Sequence, residues 1–277
     1  MSVLPLSIVR MTHRLTDRLA TDDPVFTRLA LLIALALLPI AATMTIDLRT
    51  TGATSIWLKP AKFHIALAIY LITLGFFARW LSPSLTARRG FRFYQGVVSS
   101  AVIAELVWIG GAAAVGTSSH FNTATELATA IYRAMGGAAV VLTSAALVYG
   151  VAILRTPANG LPAALRLGIG GGLVLTFVLT VITVGTMAVT SGHLIGTPVD
   201  PDNAVWLMGW SREVGDLRVA HFLSTHAMHA VPLAALLAHR WLAPGPALRV
   251  VWLACAIWPA LVAATFAQAL AGQPTFG

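Results

Sequence analysis

The chain has 277 residues, of which 57% are hydrophobic and 10% charged, and a formal net charge of +8. Soluble domains carry about 25% charged residues, so this composition excludes a water-solvated globule and predicts an all-α, polytopic membrane bundle. The basic residues fall in short loops between apolar runs, which speaks against the nucleic-acid partner that the charge alone would suggest, and the single cysteine, Cys255, excludes an intrachain disulfide, a CxxC pair or cysteine-ligated structural zinc.

Residues 1–22 lack the small-residue cleavage site of a signal peptide. Arg10, Arg14 and Arg18 recur every four residues, with Val9, Leu15 and Leu19 between them, predicting a short amphipathic helix on the cytoplasmic membrane surface. Asp23-Pro24 forms an N-cap and first-turn pair that opens a span over 24–46. Six more apolar runs follow, at 55–80, 94–116, 124–154, 163–190, 216–239 and 247–271, each long enough to cross about 30 Å of hydrocarbon. The expectation is one transmembrane domain over 23–277 with about seven spans. Arg79, Arg88, Arg89 and Arg92, then Arg155 and Arg166, then Arg240 and Arg249 occupy alternate loops. Positive charge stays inside, so the N-terminus is expected in the cytoplasm, the C-terminus outside, and the protein in a bacterial cytoplasmic membrane.

The longest outer loop, Ser191 to Gly215, contains His193, Pro198, Pro201, Trp206 and Trp210, and reads as a cap with its tryptophans at the interface or as a plain interfacial loop. Gly110-Gly111, Gly136-Gly137 and the run Gly168-Ile169-Gly170-Gly171-Gly172 read as sites of close helix packing. The last run lacks both the GxGxxG register and a preceding strand, which removes a nucleotide loop. Ser118 to Asn122 either turns the chain and caps span four or supplies a gate through His120 and Asn122.

Ionisable residues inside a bilayer are costly and so mark sites. Lys59 and Lys62 share a face at the start of span two; they either snorkel to headgroups or attract a substrate, as would Arg212 and Arg218 at the entry to span six. Counting inward at about 1.5 Å per residue, His64 lies about 13 Å deep, Glu105 about 16 Å, Arg133 about 13 Å and His226 about 15 Å. A common layer is therefore expected, with Glu105 and Arg133 as an ion pair that is structural or catalytic. His226 and His229 share a face of span six, His221 lies off it, and Pro232 predicts a kink beside them. Asp216 is expected to orient an imidazole or act with Glu105, Arg133 and His226 in catalysis.

WLKPAKF at 57–63, SSHFN at 118–122 and GDLRVAHFLSTHA at 215–227 resemble recurring motifs of an uncharacterised family of bacterial polytopic membrane proteins, over spans two to six. The resemblance implies a shared fold and site and carries no reaction.

Two functional classes follow from the residues themselves, with a structural or accessory subunit as a third. The first is a membrane oxidoreductase or related enzyme in which His64, His221, His226 and His229 hold haem b, or His64, His226 and His229 a transition metal. No HEXXH or HxxxH pair is present, and span seven has no lysine for a Schiff base. The second is a proton-coupled carrier of a small anionic solute, drawn by Lys59, Lys62, Arg133, Arg212 and Arg218, with Glu105, Asp216 and the histidines relaying protons. A lipid-soluble substrate suits either class.

Overall fold

The computed structural model describes residues 19, 21–51, 54–157 and 159–277. The amphipathic helix expected around Arg10, Arg14 and Arg18 lies outside the described residues, although Thr21 and Asp22 are helical. Seven long helices follow: α1 (Pro24–Ile46), α2 (Leu58–Phe77), α3 (Arg89–Val115), α4 (Glu126–Leu154), α5 (Ala163–Val189), α6 (Leu217–Trp241) and α7 (Pro244–Leu270).

Their ends follow capping chemistry. The Asp23 carboxylate accepts the Phe26 N–H at 3.0 Å, with Pro24 in the first turn. Thr125 does the same for Ala128 at 3.1 Å. Gly116 closes α3 at φ 78°, a conformation that costs a residue with a Cβ. Helix α3 begins five residues before the expected span because its first turn, Arg89 to Arg92, is polar, and apolar periodicity registers only the hydrocarbon-length part of a helix.

Six of the seven helices, α1 to α5 and α7, are long and apolar enough to cross a membrane. Helix α6 has comparable length, 25 residues, but its two arginines and its histidines make it the polar member. The seven apolar spans expected from sequence are therefore six apolar helices and one polar one.

Helix α1 packs on α2, α4 joins α5, and α5, α6 and α7 pack on one another, with α5–α6 the most extensive pair. Helix α6 runs beside α5 along its length: Thr183 reaches His221 near one end, and Gly168 meets Ala235 near the other. Apolar burial gives little drive between helices in lipid, so close backbone approach and dispersion must hold such pairs. The 168–172 run supplies that approach in three directions. Gly168 and Gly172 face Ala235, Ala227 and Val231 of α6, Gly170 faces Gly150 and Leu154 of α4, and Gly171 faces Cys255 of α7. A Cβ on Gly150 would lie 2.7 Å from the Gly170 carbonyl oxygen. Gly110, Gly111, Gly136 and Gly137, by contrast, have no atom within 4 Å of a built Cβ, so the close packing expected there is not formed. Glycine in an apolar helix permits close approach, but the neighbour's placement decides whether it is used.

Two short hairpins complete the fold. β1 (Thr50–Thr51) pairs with β2 (Thr54–Ser55), and β3 (Leu194–Ile195) with β4 (Gly215–Asp216), both antiparallel. The second pair ties the long 191–215 loop across the start of α6 and satisfies backbone groups that an open loop would leave to water.

Candidate functional site

The segments 57–63, 118–122 and 215–218 come together at the end of the bundle where α2 and α6 begin. The loop after α3 folds back: Trp108 Nε1 donates to the Ser119 carbonyl at 2.8 Å, and Ser119 is buried. His120 is thereby brought 3.2 Å from Lys59 Nζ through its Nδ1. An ammonium can only donate, so Nδ1 accepts and the ring proton resides on Nε2. Burial, then the Lys59 charge, push the His120 pKa down to about 4, leaving a neutral imidazole at pH 7. Phe63 packs on His120, and Phe121, at φ 56°, packs on His120, Tyr132 and His193.

From the α6 side, Asp216 accepts the Ser211 N–H and its own helix-capping Arg218 N–H, both at 3.0 Å. The Arg218 guanidinium binds the same carboxylate with Nη2 2.6 Å from Oδ2 and Nε 2.9 Å from Oδ1, and donates to the Gly209 carbonyl. Burial alone would raise the Asp216 pKa; the guanidinium and the backbone donors outweigh it and hold the carboxyl below its ordinary value. The His193 carbonyl accepts the Leu217 N–H at 2.9 Å, and its ring is kept neutral, pushed down to about 4 by burial and by Arg218. Lys62 donates to the Met208 carbonyl at 3.4 Å, joining α2 to the loop. Thus Lys59, Lys62, His120, Asp216 and Arg218 share one mouth, together with His193, which the sequence placed only in a cap. No periodicity signals His193; the β3–β4 register brings it there.

Glu105 lies below this mouth, about one helical turn from Trp108. It is 4% exposed and its Oε2 has no hydrogen-bond partner among the described residues. It interacts electrostatically with Lys59. The expected pair with Arg133 is not formed. Arg133 is exposed, in an open hollow of about 440 Å³ that Thr125, Glu126 and Thr129 also line. The packed stripe of α4 carries Leu142 and Tyr149, and Arg133 lies about 160–180° around the helix from both. Rotation about the axis turns the arginine outward, which a count of depth alone does not register. Arg212 is also exposed, and its backbone N–H donates to the Asn203 carbonyl. Asn122 closes its own turn onto Thr117, Ser118 and Ala124, which is the turn reading of that residue.

Hydrogen bonds fix the other imidazoles. His64 Nδ1 donates to the Pro60 carbonyl at 2.8 Å, and His226 Nδ1 to the Phe222 carbonyl at 2.7 Å, which fixes the orientation of both rings. The Thr183 hydroxyl donates to the Leu179 carbonyl and accepts from His221 Nδ1 at 3.3 Å. The Thr73 hydroxyl donates to the Ile69 carbonyl and accepts from His229 Nε2 at 3.1 Å, which leaves a buried His229 Nδ1 without a partner. His226 and His229 ring centroids are 5.5 Å apart.

The Thr73–His229 contact also sets the register of α2 against α6. His64 precedes Thr73 by nine residues and His226 precedes His229 by three, so their backbone levels differ by about 9 Å at 1.5 Å per residue. The single layer expected for His64 and His226 is therefore not formed. Among the described residues no three His, Cys, Asp or Glu side chains gather closely enough to hold a metal ion, so the His64, His226 and His229 triad is not assembled.

Compared with models of protein families, with curated proteins and with solved structures, the chain matches none.

Proposed function

We propose that this is a seven-span protein of a bacterial cytoplasmic membrane that binds a small anionic solute at the outer mouth of the α2–α6 interface and carries it inward. The observation that supports this reading most is the convergence of Lys59, Lys62 and Arg218 with two neutral imidazoles, His120 and His193. Of these three cations, Arg218 alone has a carboxylate bound to it among the described residues, and Lys59 interacts through space with the buried Glu105. Cationic side chains in a cleft with low-dielectric walls focus anions toward it.

Helix α6 is the seventh span in this reading, because a helix that follows α5 from Thr183 to Gly168 crosses whatever α5 crosses. With the arginine-bearing loops inside, the mouth faces outward. The enzyme reading draws no comparable support: its haem or metal needs His64 and His226 at one level, and the α2–α6 register separates them.

The test is thermal unfolding of the detergent-purified chain with acetate, phosphate or sulfate. A ligand at 100 times its Kd stabilises the folded state by about 2.7 kcal/mol. At least one anion should raise the midpoint, and Lys59→Gln should abolish that rise while leaving the ligand-free midpoint within a few degrees. If no anion stabilises the wild type, or if Lys59→Gln responds as the wild type does, the mouth does not bind anions. Vesicle flux of the stabilising anion then separates a carrier from a receptor or an accessory subunit.

A further inference from the structure

The geometry points to a zwitterion as the solute: a molecule with an acid group for the lysines and a protonated amine for Glu105. This deepens the anion-binding reading and rests on it. Glu105 is 4% exposed, and its Oε2 is buried with no hydrogen-bond partner among the described residues. The nearby donors are committed elsewhere. Trp108 Nε1 is given to the Ser119 carbonyl, and Arg133 is turned out of the bundle. Lys59 interacts with Glu105 through space, but no ion pair within 4.0 Å joins them, and its ammonium is bonded to His120 instead.

A buried carboxyl oxygen without a donor is costly, so a natural ligand should supply one. A simple anion cannot: it would satisfy Lys59 and place a second negative charge beside Glu105, where like charges repel strongly in a low dielectric. A molecule with an amine a few bonds from its acid group satisfies both ends at once. Its acid is bound by Lys59 and its ammonium donates to Glu105 Oε2, so the charges alternate from lysine to carboxylate to ammonium to carboxylate. The neutral His120, with its proton on Nε2, adds no competing positive charge to the amine end. Phe63 and Phe121 flank the mouth with ring faces that tolerate a cation.

The experiment compares matched pairs that differ only by the amine: glycine with acetate, β-alanine with propionate, and 4-aminobutyrate with butyrate. Each is titrated calorimetrically into the detergent-purified full chain. At least one amino compound should bind ten-fold or more tightly than its partner acid. Glu105→Gln, which keeps shape and removes charge, should bring that ratio to about one without weakening the acid. Glu105→Met serves as a second variant if the amide does not purify as a monodisperse protein. Equal binding of every pair by the wild type, or an undiminished ratio in the Glu105 variants, overturns the zwitterion and leaves the anion site standing. Absence of binding by all six compounds overturns the zwitterion, and absence of any stabilisation by phosphate and sulfate as well overturns the anion site.

Discussion

At the residue scale, the mouth places cations and imidazoles close together, and the imidazoles yield. Lys59 faces His120 at 3.2 Å, and Arg218 and Lys59 act on His193, whose remaining charged neighbour is Asp216. Ser119, Phe63 and Phe121 complete the surroundings of His120. Each histidine is held near pKa 4 in the folded chain, against an ordinary value of 6.5. Above pH 6.5 both states are neutral and nothing is lost. As pH falls from 6.5 to 4, the unfolded chain binds protons that the folded chain refuses, so stability falls with pH across that window and the histidine contribution levels off below it. The limiting slope is about 1.4 kcal/mol per pH unit for each histidine. Unfolding midpoints in detergent between pH 7 and 4 should therefore decline, and the His120→Gln/His193→Gln pair should decline less steeply. Parallel profiles would show that these rings are protonated in the folded protein. SSHFN was legible as a compact polar loop, turn or gate, whereas the partner of His120 was not, because the loop's return into the bundle follows from contacts such as Trp108 to Ser119 and leaves no periodic trace. Glu105 stood out in the sequence as an ionisable residue in an apolar run, and the structure buries it. Its supposed partner failed on rotation, and the outward direction of Arg133 could have been read from its angle to Leu142 and Tyr149.

At the element scale, the seven helices were legible because hydrophobic length and caps are local properties. Asp23-Pro24 opens α1 where expected, and α5 begins at Ala163 as its pattern requires. The β3–β4 pair was not legible, since two-residue strands carry too little pattern to stand out from a loop. Glycine gives the sharper lesson. All the glycine clusters read alike in sequence, yet only the 168–172 run, with Gly150 opposite, lies at a helix contact. Adding one methyl at Gly150 places a carbon 2.7 Å from the Gly170 oxygen and 2.9 Å from Leu173 Cβ, which neither backbone nor side chain can yield without shifting a helix. Overpacking of this kind costs about 1–3 kcal/mol. Gly150→Ala should thus lower the unfolding midpoint by several degrees, and Gly136→Ala, which meets nothing within 4 Å, should not. Equal effects at both positions would mean that helix propensity rather than the α4–α5 contact controls the response.

For the whole molecule, the decisive matter is the path of α6. A helix with Arg218, His221, His226 and His229 falls outside the six that are apolar enough to cross, and lying on the surface would spare it the membrane interior. The contacts exclude that course if α5 crosses. Thr183 and Gly168 are fifteen residues apart, about 22 Å along α5, and they meet His221 and Ala235 of α6, fourteen residues apart and about 21 Å along it. The two axes therefore run together over most of a hydrocarbon thickness. Asp216 and Trp210 anchor one end of α6 beneath the loop, while His239 and Arg240 form the last turn at the other. Single cysteines can read this directly once Cys255 is replaced by alanine. Val199, 96% exposed in the 191–215 loop, and His239, also exposed, flank α6. In intact cells a membrane-impermeant maleimide should label Val199→Cys, and should label His239→Cys and Arg88→Cys only after permeabilisation. Labelling of Val199→Cys and His239→Cys from the same side would put both ends of α6 in one compartment, which a crossing helix forbids. Labelling on opposite sides but with the sidedness reversed would keep the seven crossings and turn the cationic mouth toward the cytoplasm, where it would load a solute for export.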